Sequence, residues 1–143
     1  MEKLSKLAES EGIFFDYDPL LARRRRLLGL YYFDPVLECP CITLDESLKH
    51  DLPLCRSVMA EELGHHFTVP QTSVIVPYTS YSIHMALSRD EARALKWACD
   101  FLIPIKEFEK ALRAGAESVE ELAEYFVVTT WLIRRRVDFY KIR

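Results

Sequence analysis

Glu61-Glu62-Leu63-Gly64-His65 is the stretch whose residue types and spacing could do chemistry. On a helix turning about 100° per residue, with Glu61 as origin, His65 falls near about 40° and Glu62 near about 100°. The three side chains then share one face. Met59 and Leu63, at about 160° and about 200°, turn to the apolar side. Two ligand-type side chains four residues apart can grip one metal ion, and a carboxylate beside them can reach its water. This is the geometry of the H-E-x-x-H zinc helix, with Glu61 where the first histidine would stand. Carboxylate oxygen and imidazole nitrogen are both zinc donors. The plain alternative is a solvated helix face that happens to carry these residues.

A catalytic zinc needs a third protein ligand and a position left open for water. The candidates are Glu91, in Glu91-Ala92-Arg93-Ala94-Leu95-Lys96-Trp97-Ala98, and His84, His66 and His50, which stand in less constrained places. Ser88-Arg89-Asp90-Glu91 also reads as a capping box, which would explain Glu91 at a helix start without any ion.

These residues need two helices to carry them and a scaffold to pack those helices on. Leu54 to Phe67 places Cys55, Met59, Leu63 and Phe67 four apart, a buried stripe. Ser88 opens a long helical pattern through Ile103, with Ala94, Trp97, Ala98, Phe101 and Leu102 on one side; Pro104 ends it or begins the next turn. Upstream, Met1 to Glu11 has helical spacing and stops at Gly12. Ile13 to Phe15 is a short apolar run before the turn-like Asp16-Tyr17-Asp18-Pro19. Leu30 to Phe33 reads as a strand, and Val36 to Leu44 as a second one whose Pro40 points to an edge or a bulge. Thr68 to Tyr81, with Pro70 and Pro77, reads as a loop. Downstream, Ile105 to Arg113 is amphipathic, Ser118-x-x-Glu121 caps a helix to about Phe126, and Thr129 or Thr130 caps a last helix to Tyr140. A helix, a small sheet and then mostly helices make an α+β fold. No linker or repeat interrupts it, so residues 1–143 read as one domain. Its parts are a helix and sheet (1–53), the two motif helices (54–113) and a C-terminal helical pair (114–143).

Composition excludes other classes. Half of the 143 residues are hydrophobic and 29% are charged, which a disordered tail would not show. Lys and Arg number 19 against 22 Asp and Glu, a net −3, which argues against a globally basic nucleic-acid binder. Four glycines and no G-x-x-x-x-G-K-[ST] exclude a glycine-rich phosphate cradle. The polar start and the lack of a long apolar run imply no signal peptide and no membrane span. Cys39, Cys41, Cys55 and Cys99 read as free thiols of a reduced, cytoplasmic protein, with Cys55 and Cys99 acting as small hydrophobes.

Ala60-Glu-Glu-Leu-Gly-His65-His-Phe67, followed by Glu91-x-x-Ala94-x-x-Trp97-Ala98-x-x-Phe101-Leu102-x-Pro104, resembles the two signatures of the ImmA/IrrE family of gluzincin-like metallopeptidases. Trp97 and Phe101 stand as aromatic replacements in the second signature. Gly29-Leu30-Tyr31 and the Ser118 to Phe126 helix are also similar, so the resemblance runs over most of the chain. It implies a compact zincin-like domain with a small, mainly antiparallel three-stranded sheet and about five to six helices. It implies Zn2+, about one per chain, with Glu61, His65 and Glu91 as ligands. Glu62 would be the general base that takes a proton from the attacking water and passes it to the leaving amine. Tyr78, Tyr81 or His84 would contact the oxyanion or the substrate. Glu61 in place of the first histidine resembles the phage and mobile-element branch. Its extra negative charge makes the attacking water less acidic. The implied activity is a zinc-dependent endopeptidase whose partner is a protein substrate, a helix-turn-helix repressor of a phage or mobile element.

The alternative is a catalytically weak or inactive member of the fold that binds a repressor or DNA. Residues 129–143 carry five basic side chains and one acid, and with the preceding helix they resemble a helix-turn-helix. The reading preferred for Arg134 to Arg136 is a solvated face on a helix packed through Trp131, Leu132, Val137 and Tyr140. The Arg23 to Arg26 run reads as salt bridges or as a contact for an acidic partner.

Overall fold

The computed structural model describes residues 1–68 and 81–141, with 81–88 described as helical backbone only. The order is α1 (Glu2–Ser10), β1 (Phe14–Asp18), α2 (Leu21–Arg25), β2 (Gly29–Asp34), β3 (Cys39–Asp45), a 3-10 turn (Glu46–His50), α3 (Leu52–Thr68), α4 (Tyr81–Leu102), α5 (Ile105–Arg113), α6 (Val119–Phe126) and α7 (Thr130–Lys141). The fold is α+β, as the element order implies.

The sheet runs β1-β3-β2 and is mixed: β1 pairs parallel with β3, and β2 pairs antiparallel with it. Two features differ from the sequence reading. Phe14 to Asp18 form one strand that takes in most of the turn-like residues, with Asp16 exposed at the sheet edge, while Ile13 is buried just outside it. β3 is the central strand despite Pro40. Pairing with β1 begins only at Cys41, so the proline's missing N–H falls where no β1 partner exists. The β2–β3 hairpin closes through Asp34, whose Oδ1 accepts the N–H of Val36 (2.8 Å) and Leu37 (3.1 Å). The α-helices number seven among the described residues, one more than expected, because the arginine-rich stretch adds α2.

Ile42 and Leu44 of β3 turn inward against α3, where Cys55, Met59, Ala60 and Leu63 are buried. Phe67 departs from the expected stripe. It is 39% exposed and stacks on Trp97 of α4, which stacks in turn on Phe101. α4 buries Ala94, Ala98 and Cys99 against its neighbours. Cys41, Cys55 and Cys99 are buried free thiols and Cys39 is half-buried. Burial pushes the Cys99 thiol up to about 12, the chemistry of a packing group.

The C-terminal helices follow their caps. Ser118 Oγ accepts the Glu121 N–H, and Thr129 Oγ1 accepts the Leu132 N–H. The basic run on α7 is not wholly solvated. Arg136 is 1% exposed, pairs with Asp100 of α4 at 2.7 Å and donates to the Ile103 carbonyl. α7 is buried through Leu132, Ile133 and Arg136, while Tyr140 is exposed. A side chain fixed in this way is not free to read a DNA groove. Among the described residues no helix is long and apolar enough to cross a membrane.

Candidate metal centre

α3 carries Glu61, Glu62 and His65. The helix packs along α4, and Gly64 sets the distance between them. A Cβ on Gly64 would run into the Ala94 carbonyl oxygen and lie 2.9 Å from the Ala94 carbonyl carbon and Cα. Only a residue without a side chain lets the two backbones approach this closely. Ala94 lies one turn beyond Glu91 on α4, so the same approach brings Glu91 over Glu61 and His65.

One ligand-type atom each from Glu61, His65 and Glu91 lies within 4.8 Å of the others. His65 Nε2 is 3.3 Å from Glu91 Oε1. The Glu61 and Glu91 carboxyls share a hydrogen bond. Glu91 is not a helix-start residue: α4 begins at Tyr81, so the backbone of Ser88 is internal to the helix. The capping-box explanation of Glu91 therefore falls. His66 is not in the cluster; its Nδ1 is 2.8 Å from the Tyr31 hydroxyl and its Nε2 is 3.0 Å from Glu11 Oε1. His50 is exposed in the 3-10 turn. Tyr78 lies outside the described residues. Tyr81 and His84 belong to the first turns of α4 rather than to a loop, and their side chains lie outside the described ones.

Glu62 is buried on the neighbouring face, toward β2. The backbone N–H of Tyr31 bonds its carboxylate. Gly29 opens the way for it: a Cβ there would come within 2.6 Å of Val58 and 3.1 Å of Glu62 Cγ. Tyr31 is the contributor that sequence reasoning missed, because a backbone N–H at a strand edge leaves no trace in residue type.

The electrostatics follow from burying acids together. Burial, the adjacent Glu62 charge and the Glu91 hydrogen bond push Glu61 up to about 8. Burial pushes Glu62 up to about 7, against the pull of His65. Burial alone would lower His65, but its hydrogen bond to Glu91 and the charges of Glu62, Glu91 and Glu61 outweigh that and raise it. The hydrogen bond to His65 holds Glu91 below the usual carboxylate range.

These shifts fix a pH dependence for the metal-free chain. Between the ordinary 4.5 and about 7 to 8, folded Glu61 and Glu62 hold protons that the unfolded chain has lost. Stability then falls as pH rises through that window. Raised His65 acts in the same direction. Denaturant midpoints of chelator-treated protein should be lower at pH 8 than at pH 5. Pairing Glu61→Gln with Glu62→Gln should flatten the slope, and a midpoint that rises over the window would contradict this electrostatic account.

Two carboxylates and an imidazole, drawn together where burial and mutual repulsion resist the full ionisation of the acids, fit a small divalent cation. A family model described as the IrrE N-terminal-like domain matches residues 15–138. The chain belongs to this family, Peptidase_M78. No curated protein and no solved structure matches the chain. Peptidase_M78 is a family of zinc metallopeptidase type, so a hydrolytic function goes with membership. The matched span takes in the sheet except for Phe14, both motif helices and most of α7.

Proposed function

We propose that the chain is a zinc-dependent endopeptidase, with Glu61, His65 and Glu91 as the metal ligands and Glu62 as general base. The observation that carries this reading is the closeness of the three donor groups, within 4.8 Å of one another, with Glu62 buried beside them. When bound there, zinc would polarise the scissile carbonyl and acidify the attacking water. The chain's own residues do the rest. Glu62, pushed up to about 7, accepts a proton near neutral pH and returns it to the leaving amine. The Tyr31 N–H holds one Glu62 oxygen, which fixes the direction of the other. Tyr78, Tyr81 or His84 is the proposed contact for the oxyanion or the substrate.

The proposed substrate is a DNA-binding repressor of a phage or mobile element, whose removal would derepress that element, and the proposed setting is the cytoplasm. A second reading is favoured by one observation. Glu61 bonds Glu91, and Glu91 pairs with His65, so the cluster is satisfied without an ion. A member with a weak metal site would then bind a repressor without cutting it. Incubating the zinc-loaded protein with the repressor encoded nearest to it separates the two. The peptidase reading expects a new N-terminus by mass spectrometry that a chelator abolishes. An intact repressor that co-elutes with the protein would favour the second.

A further inference from the structure

The arginines of α2 take no part in the site. Arg23, Arg24, Arg25 and Arg26 are all exposed. Among the described residues none of the four makes an ion pair, so the salt-bridge expectation for this run is not met. Four adjacent cations without counter-charges make a strong local positive potential in a chain of net charge −3. The place of the run is fixed at both ends. Asp45 at the end of β3 accepts the Ala22 N–H at 2.8 Å, and Arg26 closes α2 in the left-handed conformation (φ 56°), which turns the chain into β2.

Beside Arg25 opens a cavity of about 590 Å3, walled by Leu30, Tyr32, Phe33 and Pro35. The one acid among its lining residues, Asp18, already accepts the Leu20 N–H at 2.8 Å. Leu27 and Leu28, which follow the arginines, and Val36 and Leu37, at the hairpin after β2, are exposed. Tyr31 joins this surface to the site: it lines the cavity, and its N–H bonds Glu62.

We propose that the Arg23–Arg26 run and the cavity beside it dock an acidic segment of the protein substrate, one that carries an apolar or aromatic side chain among its Asp and Glu residues. The proposal rests on the peptidase reading for what the docked segment belongs to. Guanidinium groups take carboxylates in bidentate pairs, and Leu30, Phe33 and Pro35 in the cavity take the side chain between them. Nucleic acid is the poorer fit. A sugar–phosphate backbone could pair with the arginines, but it has no apolar side chain to place against Leu30, Phe33 and Pro35.

Binding is read on zinc-loaded Glu62→Gln protein, so that no cleavage intervenes. The probes are a labelled peptide with Asp and Glu around a single Phe, its lysine counterpart, the same acidic peptide with Ala for Phe, and a DNA duplex. The acidic Phe peptide should bind, more weakly as salt rises. Combined Arg23→Gln, Arg24→Gln, Arg25→Gln and Arg26→Gln should weaken it by about tenfold or more at an unchanged melting temperature and zinc content. Tyr32→Ala should reduce the advantage of Phe over Ala. No binding by the parent protein, equal binding by the four-fold variant, or tighter binding of the duplex overturns the proposal. The peptidase reading is judged apart, by whether protein with Glu62 intact cuts what the Glu62→Gln form does not.

Discussion

Glu62→Gln is expected to keep zinc at the parent stoichiometry and to slow peptide hydrolysis by about 10²–10⁴-fold, the usual worth of a positioned general base. Glutamine keeps the shape of the side chain and an oxygen to accept the Tyr31 N–H. It leaves all three residues assigned to the metal in place. It cannot take a proton from water, so the loss should fall on kcat with KM nearly unchanged. The substitution also removes a buried charge whose ionised form is disfavoured at neutral pH, so the variant should melt no lower than the parent at pH 8. An inactive variant that melts well below the parent would mean that Glu62 holds the fold rather than moves a proton. Undiminished hydrolysis would remove it from the mechanism.

Gly64→Ala is expected to destabilise the fold more than a Cβ at any other glycine of the chain. Alanine is the better helix former by about 1 kcal/mol, so propensity alone predicts a gain. Sterics decide against it, because the new Cβ meets the Ala94 backbone rather than a side chain that could rotate away. The helices must separate, at an overpacking cost of about 1–3 kcal/mol on top of the lost contacts. A melting temperature lower by about 5 °C is expected. Separation also draws Glu91 off Glu61 and His65, so zinc affinity should fall together with stability. Adding Ala94→Gly should rescue neither, since the clash is with backbone atoms. A Gly64→Ala protein as stable and as tightly zinc-bound as the parent would refute the role given to this contact.

How far these features could be read in residues alone differs from element to element. The face shared by Glu61, Glu62 and His65 follows from helical spacing and was legible, as were α5 and α6 with their boundaries at Ile105–Arg113 and Ser118. The start of α4 was not. Ser88-x-x-Glu91 has the form of a cap wherever it occurs, and only the helix running on from Tyr81 shows that it is internal. Arg136 lay within reach of the sequence: it falls three and four residues after Ile133 and Leu132, on their buried side. A run of three arginines hides that one of them turns inward. Pro40 pointed to an edge because proline removes a donor. That argument depends on where the neighbouring strand begins, which strand pairing sets and β3 alone does not. The Tyr31 N–H on Glu62 was beyond reach for the same reason.

The proposed chemistry depends on a metal held by Glu61, His65 and Glu91. Its most direct test is the zinc content of protein purified without chelators, measured together with His65→Ala and Glu91→Ala. About one zinc per chain is expected in the parent and a small fraction of that in each variant, with folding retained. A folded parent that contains no metal and takes up none from added zinc would contradict it.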